Sequence, residues 1–270
     1  MRARRLAYLL LGLMYCHPVM SEELRLVTGD DYAPFTGRAL PAGGLLTQVV
    51  HAALEQGGVD STLEWRPWNR GYLKTLRGEY DATFPYVKTP ERALEYLYSA
   101  PLLVVEPYLF SRADDPIAQA DAQTMQGRRV CSPLGWQLPS MIQALVDQGA
   151  LSRHSPIGLK ECVRLVLIGR DDFFVADRRL GDVALQLTGA TPTQIRRSPR
   201  MISSSALYLI VPRTHPRGLE IIERFNAGLA SLIASGGYQR LLEGYMQARP
   251  RVTANEPVIL PQQVSRPPLQ

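Results

Sequence analysis

The sequence predicts an α/β protein of two lobes, each with a central, mostly parallel sheet flanked by helices, joined by two hinge crossings. Three observations predict this fold. Strand and helix patterns alternate in two separate cycles, which is typical of parallel sheets with crossover helices. A chain of 270 residues, 46% of them hydrophobic, can bury more than one core. The extended apolar segments 107–111 and 205–211 divide the cycles, and we expect them to be the paired crossings.

The first cycle begins with a strand at Leu24–Thr28. Apolar residues then recur at helical spacing over residues 44–56, and a second strand follows at 62–65. Another helix is predicted over 70–77, which Gly78 ends. The face of that helix expected to point inward consists of Tyr72, Leu73 and Leu76.

The third strand, 81–84, leads into a segment with distinctive chemistry. Pro85 predicts a turn that ends the strand, and Thr89 and Pro90 predict a new helix, because Thr caps well and Pro fits the first helical position. Arg92 lies just inside this helix start. A guanidinium beside free helix N–H groups can bind a carboxylate through two parallel hydrogen bonds. A solvated arginine on an ordinary surface helix is the alternative.

The second cycle has a strand at 127–131, helices at 137–148 and 159–168, and a buried strand at 173–176. Segment 216–245 then predicts helical structure that returns to the first lobe. Its expected apolar face is Leu219, Ile222, Phe225, Leu229 and Ile233. The expected division is lobe one at 22–109 and 208–247, lobe two at 110–207, and a disordered Pro- and Gln-rich tail at 248–270.

Residues 1–21 predict a cleavable signal peptide. Three of the first five residues are arginines, and the apolar run 6–14 is too short to span a bilayer. An uncleaved membrane anchor and a lipoprotein attached at Cys16 are the alternatives. Export predicts a periplasmic protein. Removing the three arginines lowers the formal net charge from +5 to +2, and no run of basic and aromatic residues indicates nucleic-acid binding.

Two cysteines remain after export, and a disulfide between Cys131 and Cys162 is the first expectation in an oxidising compartment. The alternative, a nucleophilic thiol, needs a histidine partner or a lowered pKa. Neither His154 nor His215 lies in a recognisable nucleophile motif. The histidines are scattered and no glycine-rich phosphate loop is present, so we expect no metal, no other cofactor and no nucleotide.

Seven short segments form a recognisable series in the chain. They are 32–35, 78–82, 89–92, 98–102, 127–130 followed by Gly135, 169–177, and 236–239. Their order and spacing resemble the periplasmic solute-binding proteins of family 3, the type associated with ABC transporters of polar amino acids. The resemblance covers about residues 24–246. It implies a type II periplasmic-binding-protein fold with a small-molecule ligand between the lobes, and we expect a monomer.

The resemblance also implies roles for individual residues. In this family the arginine of the Thr-x-x-Arg turn binds a ligand α-carboxylate, which implies that role for Arg92. The acidic residue at the end of the second-lobe strand implies an α-ammonium contact for Asp177, with helix N-capping as the alternative. Departures from the family pattern, among them Trp136 after Gly135, indicate a divergent branch. The other residues expected at the ligand are Tyr32, Phe35, Trp68, Arg70, Phe84, Tyr86 and Trp136, with core packing or a solvated charge as their alternatives.

Three functions are compatible with these features. The first is capture of a small molecule, an amino acid or a related carboxylate, for the permease of an ABC transporter. The second is a sensory protein whose ligand-bound form acts on a membrane receptor or signalling enzyme. The third is an enzyme such as a dehydratase, for which Asp30, Asp31 and Lys88 are the acid–base candidates. No catalytic arrangement stands out, and we expect a binding protein rather than an enzyme.

Overall fold

The computed structural model describes residues 23–117 and 121–247, which form two sheets flanked by helices. The predicted two-lobe α/β fold is confirmed. The expected signal peptide and the expected disordered tail lie outside the described residues. Within the described residues, no helix has both the length and the apolar character that a membrane crossing needs.

Strands and helices alternate through most of the described chain. The first part contains β1 (Leu24–Thr28), a short 3-10 helix (Pro41–Gly43), α1 (Leu45–Gln56), β2 (Ser61–Trp65), α2 (Trp68–Leu76), β3 (Ala82–Val87), α3 (Pro90–Glu95), β4 (Tyr96–Tyr98) and β5 (Leu103–Val105). The second part contains β6 (Pro107–Arg112), α4 (Ala122–Met125), β7 (Arg129–Cys131), α5 (Ser140–Asp147), β8 (Ser152–His154), α6 (Leu159–Leu167), β9 (Phe173–Asp177), α7 (Arg178–Thr188) and β10 (Ile195–Arg197). The last elements are β11 (Ser205–Pro212), α8 (Gly218–Ala234) and α9 (Gly237–Gln247).

Each sheet combines parallel and antiparallel strands. The first has the order β2-β1-β3-β11-β4, with β5 also beside β11. Its strands β1, β2 and β3 are parallel, and β11 is antiparallel to its neighbours. The second has the order β10-β6-β9-β7-β8, in which β7 is parallel to β8 and β9. In both sheets the strand that follows a crossing, β6 or β11, is antiparallel to its neighbours.

The chain changes sheets at two places, which differ from the predicted crossings. It leaves the first sheet after Val105 and enters the second at Pro107; it leaves the second after Arg197 and rejoins the first at Ser205. The two predicted crossing segments are therefore strands β6 and β11 of different sheets, and they are not paired with each other. Their apolar, extended sequence reflects burial inside a sheet rather than a hinge.

Strand β3 continues through Pro85, where the sequence predicted a turn. The strand reaches Val87, and its partner β11 shifts register between Tyr208 and Ile210 at this point. Proline has no N–H to donate, so it is tolerated in a strand at such an irregularity. The helix start that follows is as predicted, because the Thr89 hydroxyl accepts a hydrogen bond from the Arg92 N–H.

Two of the predicted helix faces need correction. Leu73 on α2 is exposed, and the buried positions of that helix are Gly71 and Thr75. Leu219 on α8 is also exposed, whereas Ile221 is buried. Both leucines lie at the edge of an amphipathic face, where spacing alone does not decide the orientation.

Helix α8 packs closely on α1 in the first lobe. A Cβ on Gly228 would lie 1.9 Å from the carbonyl oxygen of Ala53, so only glycine permits this approach. The contact fixes the returning segment onto the lobe in which the chain began.

The predicted disulfide is present. Cys131 at the end of β7 is bonded to Cys162 on α6, with a Cα–Cα distance of 5.4 Å, and both residues are fully buried. The bond ties the second sheet to a helix on its face, which supports the turn that follows β7.

We expect the Cys131→Ala/Cys162→Ala double variant to lower the free energy of unfolding by about 3–4 kcal/mol, because the bond closes a loop between cysteines 31 residues apart. Urea denaturation followed by circular dichroism measures the change. Wild-type protein unfolded under a reducing agent is the control and should approach the variant. An unchanged free energy of unfolding would contradict a stabilising role for the disulfide.

Candidate ligand-binding site

The candidate site lies between the two sheets, beyond the carboxyl ends of their parallel strands. The loop after β1 carries Tyr32, and the end of β3 carries Tyr86. In the second lobe, the turn after β7 carries Trp136, and β9 ends with Asp177. Ligands of α/β proteins bind at such strand ends, because loops and helix starts converge there.

Aromatic side chains from both lobes meet in this cleft. The ring centroid of Tyr32 lies 4.7 Å from that of Trp136 and 5.6 Å from that of Trp68, and both pairs meet edge to face. Trp68 also meets Tyr86 edge to face at 5.9 Å. Such pairs contribute about 0.5–1.5 kcal/mol beyond the area that they bury. The contact between Tyr32 and Trp136 therefore joins the lobes.

Gly135 brings the second lobe close to Trp68. Its φ of +85° lies in the left-handed region, and a Cβ there would be 2.8 Å from the Trp68 Cβ. Glycine satisfies both the conformation and the close approach. The turn can therefore place Trp136 against Tyr32.

The tyrosine hydroxyls at the site are weaker acids than a free tyrosine. Burial raises the pKa of Tyr32, with a further increase from the Asp177 carboxylate and an opposing effect of Arg179. Burial raises the pKa of Tyr86 to about 12. Both hydroxyls therefore stay protonated at neutral pH, and that of Tyr86 donates a hydrogen bond to the Trp68 carbonyl.

Arg92 is a cation without a carboxylate partner among the described residues. Its Nη1 donates one hydrogen bond to the Val87 carbonyl at 3.2 Å. The guanidinium carbon lies 5.1 Å from the ring centroid of Tyr86 and 5.6 Å from that of Tyr72. The aromatic rings and the carbonyl hold the guanidinium in place, while most of its donors remain available.

Three cavities lie at this guanidinium or at the aromatic rings. One of them, of about 440 Å³, is lined by Arg92 together with Tyr72, Tyr86, Glu91 and Asp147. A narrow one of about 60 Å³ lies between the lobes, and its lining residues are Tyr32, Trp68, Pro85, Tyr86, Val87, Arg92, Gly135, Trp136, Gln137 and Leu207. A wider one of about 490 Å³ also borders Tyr32 and Trp136, and it extends to Asp177 and to α5. A volume of this order suits a small organic molecule, since ligand sites typically enclose roughly 300–1,000 Å³.

Asp177 forms a buried ion pair with Arg179. The Arg179 Nε lies 2.9 Å from Asp177 Oδ1, and Nη2 lies 3.0 Å from Oδ2. Burial alone would lower the pKa of the Arg179 guanidinium, but the hydrogen bonds and negative charge of Asp177 outweigh that effect and raise it. Asp177 also caps α7, because Oδ1 accepts a hydrogen bond from the Arg179 N–H. The N-cap alternative is thus realised in the structure.

The structure brings together five of the predicted site residues around the narrow cavity and places Asp177 in the adjoining one. The five residues are Tyr32, Trp68, Tyr86, Arg92 and Trp136. Phe35 and Phe84 are fully buried, Phe35 beneath the Arg179 guanidinium and Phe84 in the core of the first lobe. Arg70 is exposed on α2. Core packing and solvation are therefore the observed environments of these three residues.

Sequence reasoning missed three residues at the site: Tyr72, Gln137 and Arg179. Tyr72 follows Trp68 by four residues, so a helical pattern places both on one face, and this signal was available. Arg179 gave no signal, because residues two apart do not face each other within a helix. It meets Asp177 only because Asp177 is the N-cap and lies outside the helix. Gln137 follows Trp136 in an irregular segment without a recognisable pattern.

The described part of the chain has no group of three or more His, Cys, Asp or Glu side chains placed to hold a metal ion. Of the acid–base candidates of the sequence, Lys88 borders the wider cavity, whereas Asp30 and Asp31 line neither the narrow nor the wider one. Asp30 accepts backbone hydrogen bonds in its own loop, and the Lys88 ammonium lies over the Tyr98 ring. The side chain of Asp31 faces Gly158 of the other lobe.

Comparison with known proteins agrees with this architecture. The profile of the bacterial extracellular solute-binding proteins, family 3, matches residues 24–248. No curated protein gives a significant match to the chain.

Several solved structures share the fold at low sequence identity. A histidine kinase sensor domain with similarity to periplasmic binding proteins has a TM-score of 0.71 and 21% identity, covering 84% of this chain and 97% of its own. The ArgBP of T. maritima, in its P235GK mutant, has a TM-score of 0.70 and 16% identity, covering 83% and 95%. An ancestral amino acid-binding protein, described as a precursor of cyclohexadienyl dehydratase, has a TM-score of 0.66 and 19% identity, covering 83% and 95%.

We expect Asp177→Asn to lower the free energy of unfolding by about 3–5 kcal/mol, because it leaves the buried Arg179 without its anion. Asparagine caps helices as well as aspartate does, so loss of the charge is isolated from loss of the cap. Asp121→Asn at the N-cap of α4 is the control and should change the value by less than about 1 kcal/mol. Denaturant unfolding measures both. If both variants lose the same small amount of free energy of unfolding, the ion pair does not stabilise the protein.

Proposed function

The chain belongs to family 3 of the bacterial extracellular solute-binding proteins, and from this we propose that it captures a small carboxylate-bearing solute between its lobes. The solute is an amino acid or a related acid, and the loaded protein delivers it to the permease of an ABC transporter. The proposed binding site is the narrow cavity with its aromatic walls, together with the wider cavity that shares Tyr32 and Trp136 with it. No catalytic step is part of this proposal.

The observation that carries the proposal is the environment of Arg92. The guanidinium borders the cleft, is held against Tyr72 and Tyr86, and has no carboxylate partner among the described residues. A carboxylate can accept two parallel hydrogen bonds from such a guanidinium. Because the rings already fix the guanidinium, little conformational entropy is lost when the ligand binds.

The remaining walls suit the rest of the ligand. Tyr32, Trp68, Tyr86 and Trp136 offer ring surface on both sides of the cleft. A ligand that contacts both lobes interacts more strongly with the closed arrangement than with an open one, so binding favours closure. This supports a mechanism in which closure reports that the site is loaded.

The same proposal includes the location, the processing and the oligomeric state of the protein. Residues 1–21 direct export to the periplasm and are removed, and the mature chain acts as a monomer. The proposed lobes are 22–109 with 208–247, and 110–207. Membership of β1–β5 and β11 in one sheet and of β6–β10 in the other supports this division, except that residues 107–109 belong with the second lobe and residues 205–207 with the first.

A sensory role is the second candidate. The histidine kinase sensor domain with a TM-score of 0.71 shows that this fold also occurs in a receptor. The two roles differ in the cell. If the chain serves transport, its deletion abolishes uptake of the ligand; if it serves sensing, uptake persists and the response to the ligand is lost. An enzyme is the minor third candidate. It is considered because the ancestral amino acid-binding protein that shares this fold is described as a precursor of cyclohexadienyl dehydratase.

We expect Arg92→Ala to weaken binding of carboxylates at least about 100-fold, because hydrogen bonds to charged groups contribute about 1.5–3 kcal/mol each. A panel of L-arginine, L-glutamate, L-phenylalanine and 3-phenylpropionate, first screened by thermal shift, identifies a ligand for calorimetric titration. The ligand's carboxamide should bind wild type as weakly as the acid binds the variant.

Arg77→Ala is the matched control, because Arg77 is an exposed arginine at the end of α2 in the same lobe. It should bind the carboxylate like wild type. Both variants should keep their thermal midpoints in the ligand-free protein, so that weaker binding is not due to unfolding. Full affinity in Arg92→Ala would remove Arg92 from the site and contradict the proposal.

A further inference from the structure

We propose that Arg179 determines ligand specificity: by occupying the Asp177 carboxylate, it makes the cleft select organic carboxylates that lack a free α-ammonium. This inference rests on the proposed function, since it concerns the same cleft. It distinguishes two ligand classes that the proposed function leaves together, the amino acids and the related acids.

The acceptor capacity of Asp177 is fully used within the protein. A carboxylate has about four lone-pair sites, two on each oxygen. Oδ1 accepts from the Arg179 backbone N–H and from Nε, both at 2.9 Å. Oδ2 accepts from the Glu106 N–H and from the Arg179 Nη2, both at 3.0 Å. A ligand ammonium that approached Asp177 would have to displace one of these donors.

Displacing Arg179 is unfavourable, because the side chain is anchored on three sides. Its Nη2 also donates a hydrogen bond to the Val104 carbonyl at 2.9 Å, and its guanidinium carbon lies 5.2 Å from the ring centroid of Phe35. The exposed fractions of the two side chains are 18% for Arg179 and 4% for Asp177. Breaking a buried pair leaves an uncompensated charge, which is strongly destabilising.

The other carboxylates near the cleft do not replace Asp177. Glu91 and Asp147 border both the wider cavity and the cavity of about 440 Å³ that Arg92 lines, but both are exposed, so water screens their attraction for an ammonium. Asp147 also accepts a hydrogen bond from the Gln143 amide at 2.8 Å. The narrow cavity beside Arg92 is lined by no carboxylate at all among the described residues.

The surroundings of Arg92 therefore fit an anion with an apolar body. When a ligand carboxylate binds the guanidinium, its α-substituent enters a space walled by Tyr32, Trp68, Tyr86 and Trp136. An ammonium in that space would lose water without gaining an anion, which is unfavourable. Ring faces attract cations, but Tyr32, Trp68 and Trp136 already direct edges and faces at one another.

Matched ligand pairs test the proposal on the wild-type protein. 3-Phenylpropionate and L-phenylalanine differ only in the α-ammonium, as do indole-3-propionate and L-tryptophan. Calorimetric titration should show at least tenfold tighter binding of the deamino acid in a pair that binds. Equal or tighter binding of the amino acid overturns this inference and leaves the proposed function standing. Failure of both members of both pairs and of the carboxylate panel contradicts the proposed function, and this inference with it.

The Arg179→Met variant tests the role of Arg179 itself. Methionine keeps an apolar stem over Phe35 and frees the Asp177 oxygens, so the preference should shift at least tenfold toward the amino acid. Arg178→Met removes the same charge one residue away and should keep the wild-type preference. If the Arg179→Met variant folds and also keeps the wild-type preference for the deamino acid, Arg179 does not determine the specificity. If the variant does not fold, the wild-type comparison of matched pairs still decides between the two ligand classes.

Discussion

The ion pair between Asp177 and Arg179 is the interaction on which the rest of the site depends. It joins the end of β9 to the crossing between the sheets, because Glu106 donates to Asp177 and Arg179 donates to the Val104 carbonyl. The same guanidinium covers Phe35 of the first lobe. One buried pair thus connects a strand end, a crossing and the opposite lobe. A carboxylate that holds the architecture in this way is no longer available to a ligand.

Arg92 and Arg179 show how environment separates two arginines of the same cleft. Arg179 follows an aspartate that caps its helix, so the guanidinium folds back onto a carboxylate. Arg92 follows a threonine cap, whose hydroxyl serves the helix but offers no charge. Its guanidinium rests on tyrosine rings instead. The identity of each cap therefore decides which arginine is neutralised internally and which remains to meet an anion.

Much of this arrangement could be predicted from the sequence. The features that could not be predicted share a physical cause, because they depend on contacts between distant parts of the chain. Alternating apolar patterns located the first strands and helices, and Thr89 and Pro90 located the start of α3, because these signals are local. The continuation of β3 through Pro85 depends on a register shift in β11, more than a hundred residues away. The pairing of Arg179 depends on burial between lobes, which no local pattern reports. Asp177 could be recognised as important, but its two roles could not be separated without its neighbours.

The proposed function depends on Arg92 anchoring an anion between the lobes. A crystal structure of the protein with 3-(4-bromophenyl)propionate tests it most directly, since anomalous scattering locates the bromine independently of the fitted ligand. We expect the carboxylate within hydrogen-bond distance of the Arg92 guanidinium and the bromine among the rings of Tyr32, Trp68 and Trp136. A ligand bound elsewhere, with the Arg92 guanidinium facing only solvent and its tyrosine rings, would contradict it.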